Sequence, residues 1–257
     1  MVLTPGGREG LDVLGPLVAE LARHFRVLSW DRRNTGKSSL WFETERSEQA
    51  IWAADLADLA QALDFGPAIV AGGSAGCRVS LNAVLREPGI ARSMVLWSAS
   101  GGAYGSQFLG YGYHVPYILA AQRGGMAAVA ETPFFAERIA ADSENAAYLA
   151  GFDPDRFVAA MKHWNESFYP REGKPLTGIE GELSTIRVPA LIFEGNDDIH
   201  PAESALALAM AIEGARLVPS PWSGEEFMGV MSGRLPGRVF DLYPRLVPQI
   251  VEFADRG

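Results

Sequence analysis

Residues 68–77 read Ala-Ile-Val-Ala-Gly-Gly-Ser-Ala-Gly-Cys, and this stretch decides the fold of the chain. Its first four residues are apolar and predict a short buried strand, while apolar positions such as Val79 and Leu81 predict a helix that follows directly. Ser74 therefore stands on a sharp turn from strand to helix, with a glycine two residues before it and another two residues after it. Such a nucleophile elbow exposes the hydroxyl beneath the free amides of a helix N-terminus.

A simpler interpretation makes Ser74 a helix N-cap that follows a tight turn. Glycine occurs 28 times in the chain, so a glycine-flanked serine also arises readily by chance. The apolar strand before Ser74 and the helical pattern after it are, however, the context that an elbow requires. The combined pattern favours a serine nucleophile.

The length and composition predict one soluble α/β domain with room for an inserted subdomain. The chain has 257 residues, of which 48% are hydrophobic and 21% charged. A net charge of −9 disfavours nucleic acid or an anionic membrane as a partner. No stretch approaches the roughly twenty apolar residues that cross a bilayer, and no basic region precedes an apolar core at the N-terminus. Cys77 is the single cysteine, so we expect no internal disulfide and a cytoplasmic protein.

Strand-like and helix-like segments alternate along the chain, which predicts a mostly parallel central sheet with helices on both faces. This alternation stops at Ser98, where aromatic residues and glycines take over, and it resumes after Arg187. We therefore predict a core domain in two parts, residues 1–98 and 188–257, with a helical cap inserted at residues 99–187. The cap aromatics are expected to form mainly the core of the cap itself. A pocket for a small, apolar substrate is expected beneath the cap.

Two further motifs, together with the elbow, give the chain its resemblance to a known family. The segment DRRNTGKS at residues 31–38 is similar to a turn with an acidic residue, an arginine and a glycine that follows the fourth strand in that family. The segment TPGG at residues 4–7 lies at the position where the same family usually has an oxyanion loop with His and Gly. The chain resembles the α/β-hydrolase superfamily over nearly its whole length outside the cap. This resemblance implies an α/β-hydrolase fold. It also implies that the backbone amides of Ala75 and of Gly7 or Arg8 bind an oxyanion.

The chain departs from the family pattern at its N-terminal end. The family normally has two antiparallel strands before the oxyanion loop, whereas only six residues precede Gly7. We expect an exposed sheet edge as a result. Because an uncovered strand edge invites pairing with another chain, we expect a homodimer through that edge.

A second departure concerns the general base that a serine nucleophile needs. The family places a Gly-His pair after its last strand, but here residues 219–226 read PSPWSGEE and no histidine follows His200. His200, which is near the candidate acid, is therefore one candidate base for Ser74. Glu225 is the other, because it occupies the position of the family histidine; a carboxylate would need a raised pKa for this role. The remaining histidines are predicted to be structural or to lie in the cap: His24, His114 and His163.

The acid of the site is expected in residues 196–201, directly after a predicted strand. Counting back from Pro201 selects Asp197, whereas counting forward from Gly195 selects Asp198. We favour Asp197, and the second carboxylate is then free to cap the helix that begins near residue 202.

These features together predict a hydrolase that uses Ser74 to cleave an ester, lactone, amide or activated carbon–carbon bond. The alternative is a non-hydrolytic relative, either a cofactor-free lyase or a ligand-binding pseudoenzyme, because the usual histidine is absent. No cofactor is expected. No metal is expected either, since histidines and cysteines are not clustered at ligand spacing.

Overall fold

A computed structural model describes residues 1–169 and 176–256 of the chain. Its centre is a six-stranded sheet in the order β2-β1-β3-β4-β5-β6, in which all neighbouring strands are parallel. The strands are β1 (Val2–Thr4), β2 (Leu28–Ser29), β3 (Ala68–Gly73), β4 (Ala91–Trp97), β5 (Ala190–Phe193) and β6 (Arg216–Val218). The prediction of a parallel sheet is confirmed.

Helices surround this sheet and also form the inserted cap. The core helices are α1 (Gly15–Leu21), α2 (Glu48–Ala62), α3 (Ala75–Arg86), α8 (Ala202–Ala211), α9 (Gly224–Met231) and α10 (Val247–Ala254). The cap helices, which lie between β4 and β5, are α4 (Gly102–Ala130), α5 (Pro133–Ala141), α6 (Glu144–Gly151) and α7 (Pro154–Glu166). The inserted helical cap is therefore confirmed, whereas its boundaries at residues 99 and 187 stay a prediction.

The sequence pattern predicts helices over residues 11–23 and 242–253, and a proline divides each of them. The first begins as a 3-10 helix over Leu11–Leu14, and α1 starts afresh with Pro16 in its first turn. The last begins earlier than predicted as a 3-10 helix over Val239–Leu246, and α10 then starts with Pro248 in its first turn. Proline lacks an amide hydrogen, so it is tolerated where no intrahelical donor is needed and it marks a new helix start.

The sheet is buried on both faces by apolar side chains that alternate along each strand. In β3, Val70 faces the side covered by α2, α3 and α8, whereas Ile69 faces the side covered by α1 and α10. The cap has an aromatic core of its own, in which Phe42 from the core domain contacts the rings of Phe157 and Trp164. This packing holds the cap against the C-terminal ends of the strands, where the elbow lies.

The apolar residues at 25–30 predict a strand, but only the two-residue β2 forms there, at the edge of the sheet. It pairs with β1 on one side, where the Leu28 amide donates to the Met1 carbonyl at 2.9 Å. The homodimer through this edge stays a prediction, and light scattering that shows a clean monomer would remove it.

Candidate active site

Ser74 lies between the last residue of β3 and the first residue of α3. Its backbone has φ 52° and ψ −114°, a conformation that residues other than glycine rarely adopt. The surrounding structure holds it there, since the Ser74 amide donates to the Trp97 carbonyl of β4 at 3.1 Å. The residue is half-buried and lies at the C-terminal end of β3, an interior strand of the sheet.

The glycines on either side of Ser74 allow β3, α3 and β1 to approach one another closely. A Cβ atom at Gly72 would lie 2.5 Å from the carbonyl of Gly76. A Cβ atom at Gly76 would lie 2.3 Å from the carbonyl oxygen of Thr4. Both distances are shorter than any real Cβ contact, so these positions require glycine for a steric reason.

We expect Gly76→Ala to destabilise the fold by about 1–3 kcal/mol, because the added methyl must displace the Thr4 backbone. Urea unfolding of the purified variant would measure this loss. Gly112→Ala is the matched control, since a Cβ atom at Gly112 in α4 meets nothing within 4 Å. That control should be neutral or more stable by up to about 1 kcal/mol. An unfolding midpoint of Gly76→Ala equal to that of the wild type would contradict this prediction.

The His200 ring lies between Ser74 and Asp197. His200 Nε2 is 2.9 Å from Ser74 Oγ, and His200 Nδ1 is 2.9 Å from Asp197 Oδ2. The ring is buried, and its neighbour on the outer side is Phe227 of α9, which it meets edge to face at a centroid distance of 5.7 Å. Because both ring nitrogens have partners, the orientation of the imidazole is determined from two sides.

Asp197 is held by its own loop as well as by His200. Its Oδ1 atom accepts hydrogen bonds from the amides of Ile199 at 2.9 Å and His200 at 3.0 Å. Burial raises the pKa of Asp197, but the hydrogen bond and charge of His200 and these amides outweigh burial, so the pKa lies below its ordinary value of 3.8. Asp197 is therefore charged at neutral pH.

The other two carboxylates considered from sequence lie elsewhere. Asp198 is exposed, although it is adjacent to Asp197. Glu225 is exposed in the first turn of α9, and no hydrogen bond joins it to Ser74 in the described part of the chain. The structure thus brings His200 and Asp197 to Ser74, but not Asp198 or Glu225.

The loop before Ser74 also carries the predicted amides of the oxyanion site. A Cβ atom at Gly6 would lie 3.4 Å from the Ser74 Cβ atom, so this loop passes directly over the elbow. The buried Arg32 fixes it, since Arg32 Nη2 donates to the carbonyls of Gly6 at 3.3 Å, Gly7 at 3.0 Å and Glu9 at 3.2 Å. On the other side, the amide of Ala75 opens α3 and has no acceptor within the helix.

Sequence reasoning missed two side chains near Ser74, those of Arg8 and Arg78. The sequence predicts only that the backbone amide of Arg8 binds the oxyanion, yet the Arg8 guanidinium makes a buried ion pair with Glu48 at 2.7 Å. Arg78 lies on α3 four residues after Ser74 and is only 2% exposed. A charged residue between the apolar positions of a buried helix was the signal that could have identified Arg78.

The other histidines have ordinary surroundings. His114 is fully buried in α4, where burial lowers its pKa to about 3 and keeps it neutral. His163 is half-exposed, and its Nδ1 atom lies 3.7 Å from the Glu166 carboxylate; His24 is exposed. Within residues 1–169 and 176–256, no three His, Cys, Asp or Glu side chains cluster as metal ligands would. None of the helices in those ranges is long and apolar enough to span a bilayer.

Comparisons with known proteins agree with this fold. A sequence model described as the alpha/beta hydrolase family matches residues 1–229. The enol-lactonase from Burkholderia xenovorans LB400 is 23% identical with a TM-score of 0.60, over 99% of this chain and 90% of that one. A thermophilic esterase from Thermogutta terrifontis is 19% identical with a TM-score of 0.59, over 99% and 87% of the two chains. Est816, described as an N-acyl homoserine lactone degrading enzyme, is 19% identical with a TM-score of 0.56, over 99% and 91%.

Proposed function

We propose that this chain, which belongs to the alpha/beta hydrolase family, hydrolyses an ester or lactone bond of a small molecule. The nucleophile in this proposal is a serine. The family and its structural neighbours support hydrolase activity in general. Among the bonds considered from sequence, esters and lactones are favoured over amides and activated carbon–carbon bonds. The reason is that an enol-lactonase, an esterase and a lactone-degrading enzyme share this fold.

One distance carries the proposal, the 2.9 Å between His200 Nε2 and Ser74 Oγ. A serine hydroxyl is a poor nucleophile at neutral pH unless a base lies within hydrogen-bond reach of it. Here that base is an imidazole whose other nitrogen is held by the charged Asp197. The three side chains therefore have the spatial relationship of a Ser-His-Asp triad, although acid and base share one loop.

The proposed reaction proceeds in two steps. Ser74 Oγ attacks the substrate carbonyl carbon while His200 Nε2 takes the hydroxyl proton, and the imidazolium is stabilised by Asp197. The amides of Ala75 and of Gly7 or Arg8 stabilise the tetrahedral oxyanion. His200 then gives the proton to the leaving alcohol oxygen as the carbon–oxygen bond breaks. A water molecule, activated by His200, releases the acyl group from Ser74 in the second step.

The alternative, a non-hydrolytic relative or ligand-binding pseudoenzyme, rests on the missing late histidine. The imidazole within reach of Ser74 Oγ supports the hydrolase instead. This alternative therefore serves as the contrary outcome of the experiment below.

The proposal is tested by labelling with a fluorophosphonate, followed by mass spectrometry of the peptides. We expect one adduct, on the peptide that contains Ser74, because the probe is attacked by an activated serine hydroxyl. Ser74→Ala is the matched variant and should remain unlabelled and inactive on short 4-nitrophenyl esters. A wild-type protein that is inert to the probe and to these esters would support the non-hydrolytic alternative instead.

A further inference from the structure

Three arginines with buried side chains, Arg8, Arg32 and Arg78, lie on the oxyanion loop, in the segment at residues 31–38 and on the elbow helix. The guanidinium carbon of Arg8 lies 5.1 Å from the centre of the Tyr113 ring, and Tyr113 is also a neighbour of Arg32 and Arg78. Glu48 is the carboxylate that acts on this cluster. The group thus carries an excess of positive charge inside a protein whose net charge is −9.

Arg8 pairs with a carboxylate, and Arg32 is fixed by loop carbonyls and an aromatic ring, although Nε and Nη1 of Arg32 have no hydrogen-bond partner in the described part of the chain. Arg8 donates from both terminal nitrogens to the two oxygens of Glu48, at 3.0 and 2.7 Å. Arg32 donates to carbonyls of the loop over Ser74 and lies against the Trp52 ring at 4.6 Å.

Arg78 has one hydrogen-bonded side-chain partner, and the edge formed by its Nε and Nη2 atoms is left without one among the described residues. Its Nη1 atom donates to Ser100 Oγ, whereas Nε and Nη2 have no hydrogen-bond partner in the described part of the chain. Burial lowers the pKa of Arg78, and the neighbouring Tyr113 side chain opposes this effect. The Phe168 ring covers the guanidinium at 5.0 Å. A buried cation with two unused donors is costly unless an anion approaches it.

The position of this edge connects it with the proposed reaction. Arg78 lies one helical turn after Ser74, so both residues project from the same end of α3. Arg8 follows Gly7 in the loop over Ser74, and its Nε atom is also buried without a partner. The elbow is thus flanked by positive charge from the nucleophile helix and from the oxyanion loop.

We propose that the substrate carries a carboxylate that binds the Nε–Nη2 edge of Arg78, beside Arg8, while Ser74 attacks an ester or lactone carbonyl of the same molecule. This inference rests on the proposed function and adds a substrate class to it. The Nε and Nη2 hydrogens point in the same direction, and their spacing matches the two oxygens of a carboxylate. A site of this kind would select substrates with an anionic group, in place of the purely apolar substrates expected from sequence.

The test compares two substrates that differ only at the distal carboxyl group, 4-nitrophenyl hydrogen succinate and its neutral methyl ester. We expect the wild type to prefer the charged substrate in kcat/KM by about 10- to 100-fold, the range of a hydrogen bond to a charged group. Arg78→Met should reduce this ratio to near one. Arg78→Lys keeps the charge but loses the two-donor edge, so its ratio should be intermediate.

Arg33→Met is the matched control, because it removes the same charge from a half-exposed position beside Asp55. Its ratio should equal that of the wild type. The inference would be overturned if the wild type hydrolysed both esters equally, or if Arg78→Met lowered kcat/KM for both by the same factor. Using the ratio separates a lost carboxylate contact from general damage to the fold, since misfolding lowers both rates together.

If the proposed function itself is wrong, Ser74 is not labelled by the fluorophosphonate and neither ester is turned over. In that case calorimetric titration of monomethyl succinate into Ser74→Ala decides the inference without catalysis. Binding that is lost when Arg78→Met is added supports the carboxylate site. Absence of binding, or tighter binding of inorganic phosphate than of monomethyl succinate, overturns it.

Discussion

His200→Gln is expected to lower kcat for a 4-nitrophenyl ester by on the order of 10⁴-fold or more, the effect of removing one member of a catalytic unit. The physical reason is that glutamine cannot take the proton from Ser74 Oγ, which His200 Nε2 approaches to 2.9 Å. KM should change little, because the imidazole is not expected to bind the substrate. Steady-state kinetics on the purified variant, with circular dichroism to check folding, would measure this loss.

Glu225→Gln is the control that separates the two bases considered from sequence. Glu225 is exposed in the first turn of α9, so its loss should leave kcat within about twofold and stability within about 0.5 kcal/mol. The opposite pattern, in which Glu225→Gln is inactive and His200→Gln is active, would reject the assignment of His200 as the base.

Asp197→Asn is expected to lower kcat by about 10⁴-fold while leaving the loop in place, because the amide is isosteric with the carboxylate. Asparagine can donate to His200 Nδ1, which would favour the tautomer whose proton is on Nε2. His200 could then no longer accept the Ser74 proton. The measurement is again kcat on the ester, compared with that of Asp198→Asn.

Asp198→Asn should retain nearly full activity, since Asp198 is exposed. A second readout of Asp197→Asn is the pH dependence of unfolding. The pKa of folded Asp197 lies below 3.8, so its charge stabilises the fold above pH 3.8, and this stabilisation is lost as the pH falls through the lowered pKa. The variant should lack that part of the acid-induced loss of stability. An Asp198→Asn variant with the larger loss of kcat would instead assign the acid to Asp198.

The segment near residue 225, where the family has its histidine, packs against the loop that carries Asp197 and His200. A Cβ atom at Gly224 would lie 1.9 Å from the Asn196 carbonyl oxygen, so the segment before α9 packs directly on the acid loop. Asn196 Nδ2 donates to the Trp222 carbonyl at 2.6 Å, and Phe227 lies against the His200 ring. Residues 222–227 therefore hold in place the loop that carries the histidine.

The elbow and the parallel sheet could be read from residues that are close together in the chain. Glycine spacing around Ser74 and short apolar runs such as Ala190–Phe193 depend on local sterics and on burial of neighbouring side chains. The same local patterns do not predict that prolines divide two helices or that the strand at residues 25–30 shortens to β2, which pairs on one side only. Those differences depend on which backbone amides can donate hydrogen bonds, and hydrophobic periodicity does not report this.

The base that partners Ser74, by contrast, could be identified only from the three-dimensional structure of the loop that carries His200. His200 is 126 residues from Ser74, and its direction depends on a turn so tight that a Cβ atom at Gly195 would lie 2.0 Å from the His200 carbonyl oxygen. Likewise, no spacing rule reveals that Nε and Nη2 of Arg78 lack a hydrogen-bond partner in the described part of the chain, because this depends on every element that packs around them. Side-chain direction and hydrogen-bond satisfaction are properties of the packed molecule, whereas strand, helix and elbow are encoded in short segments.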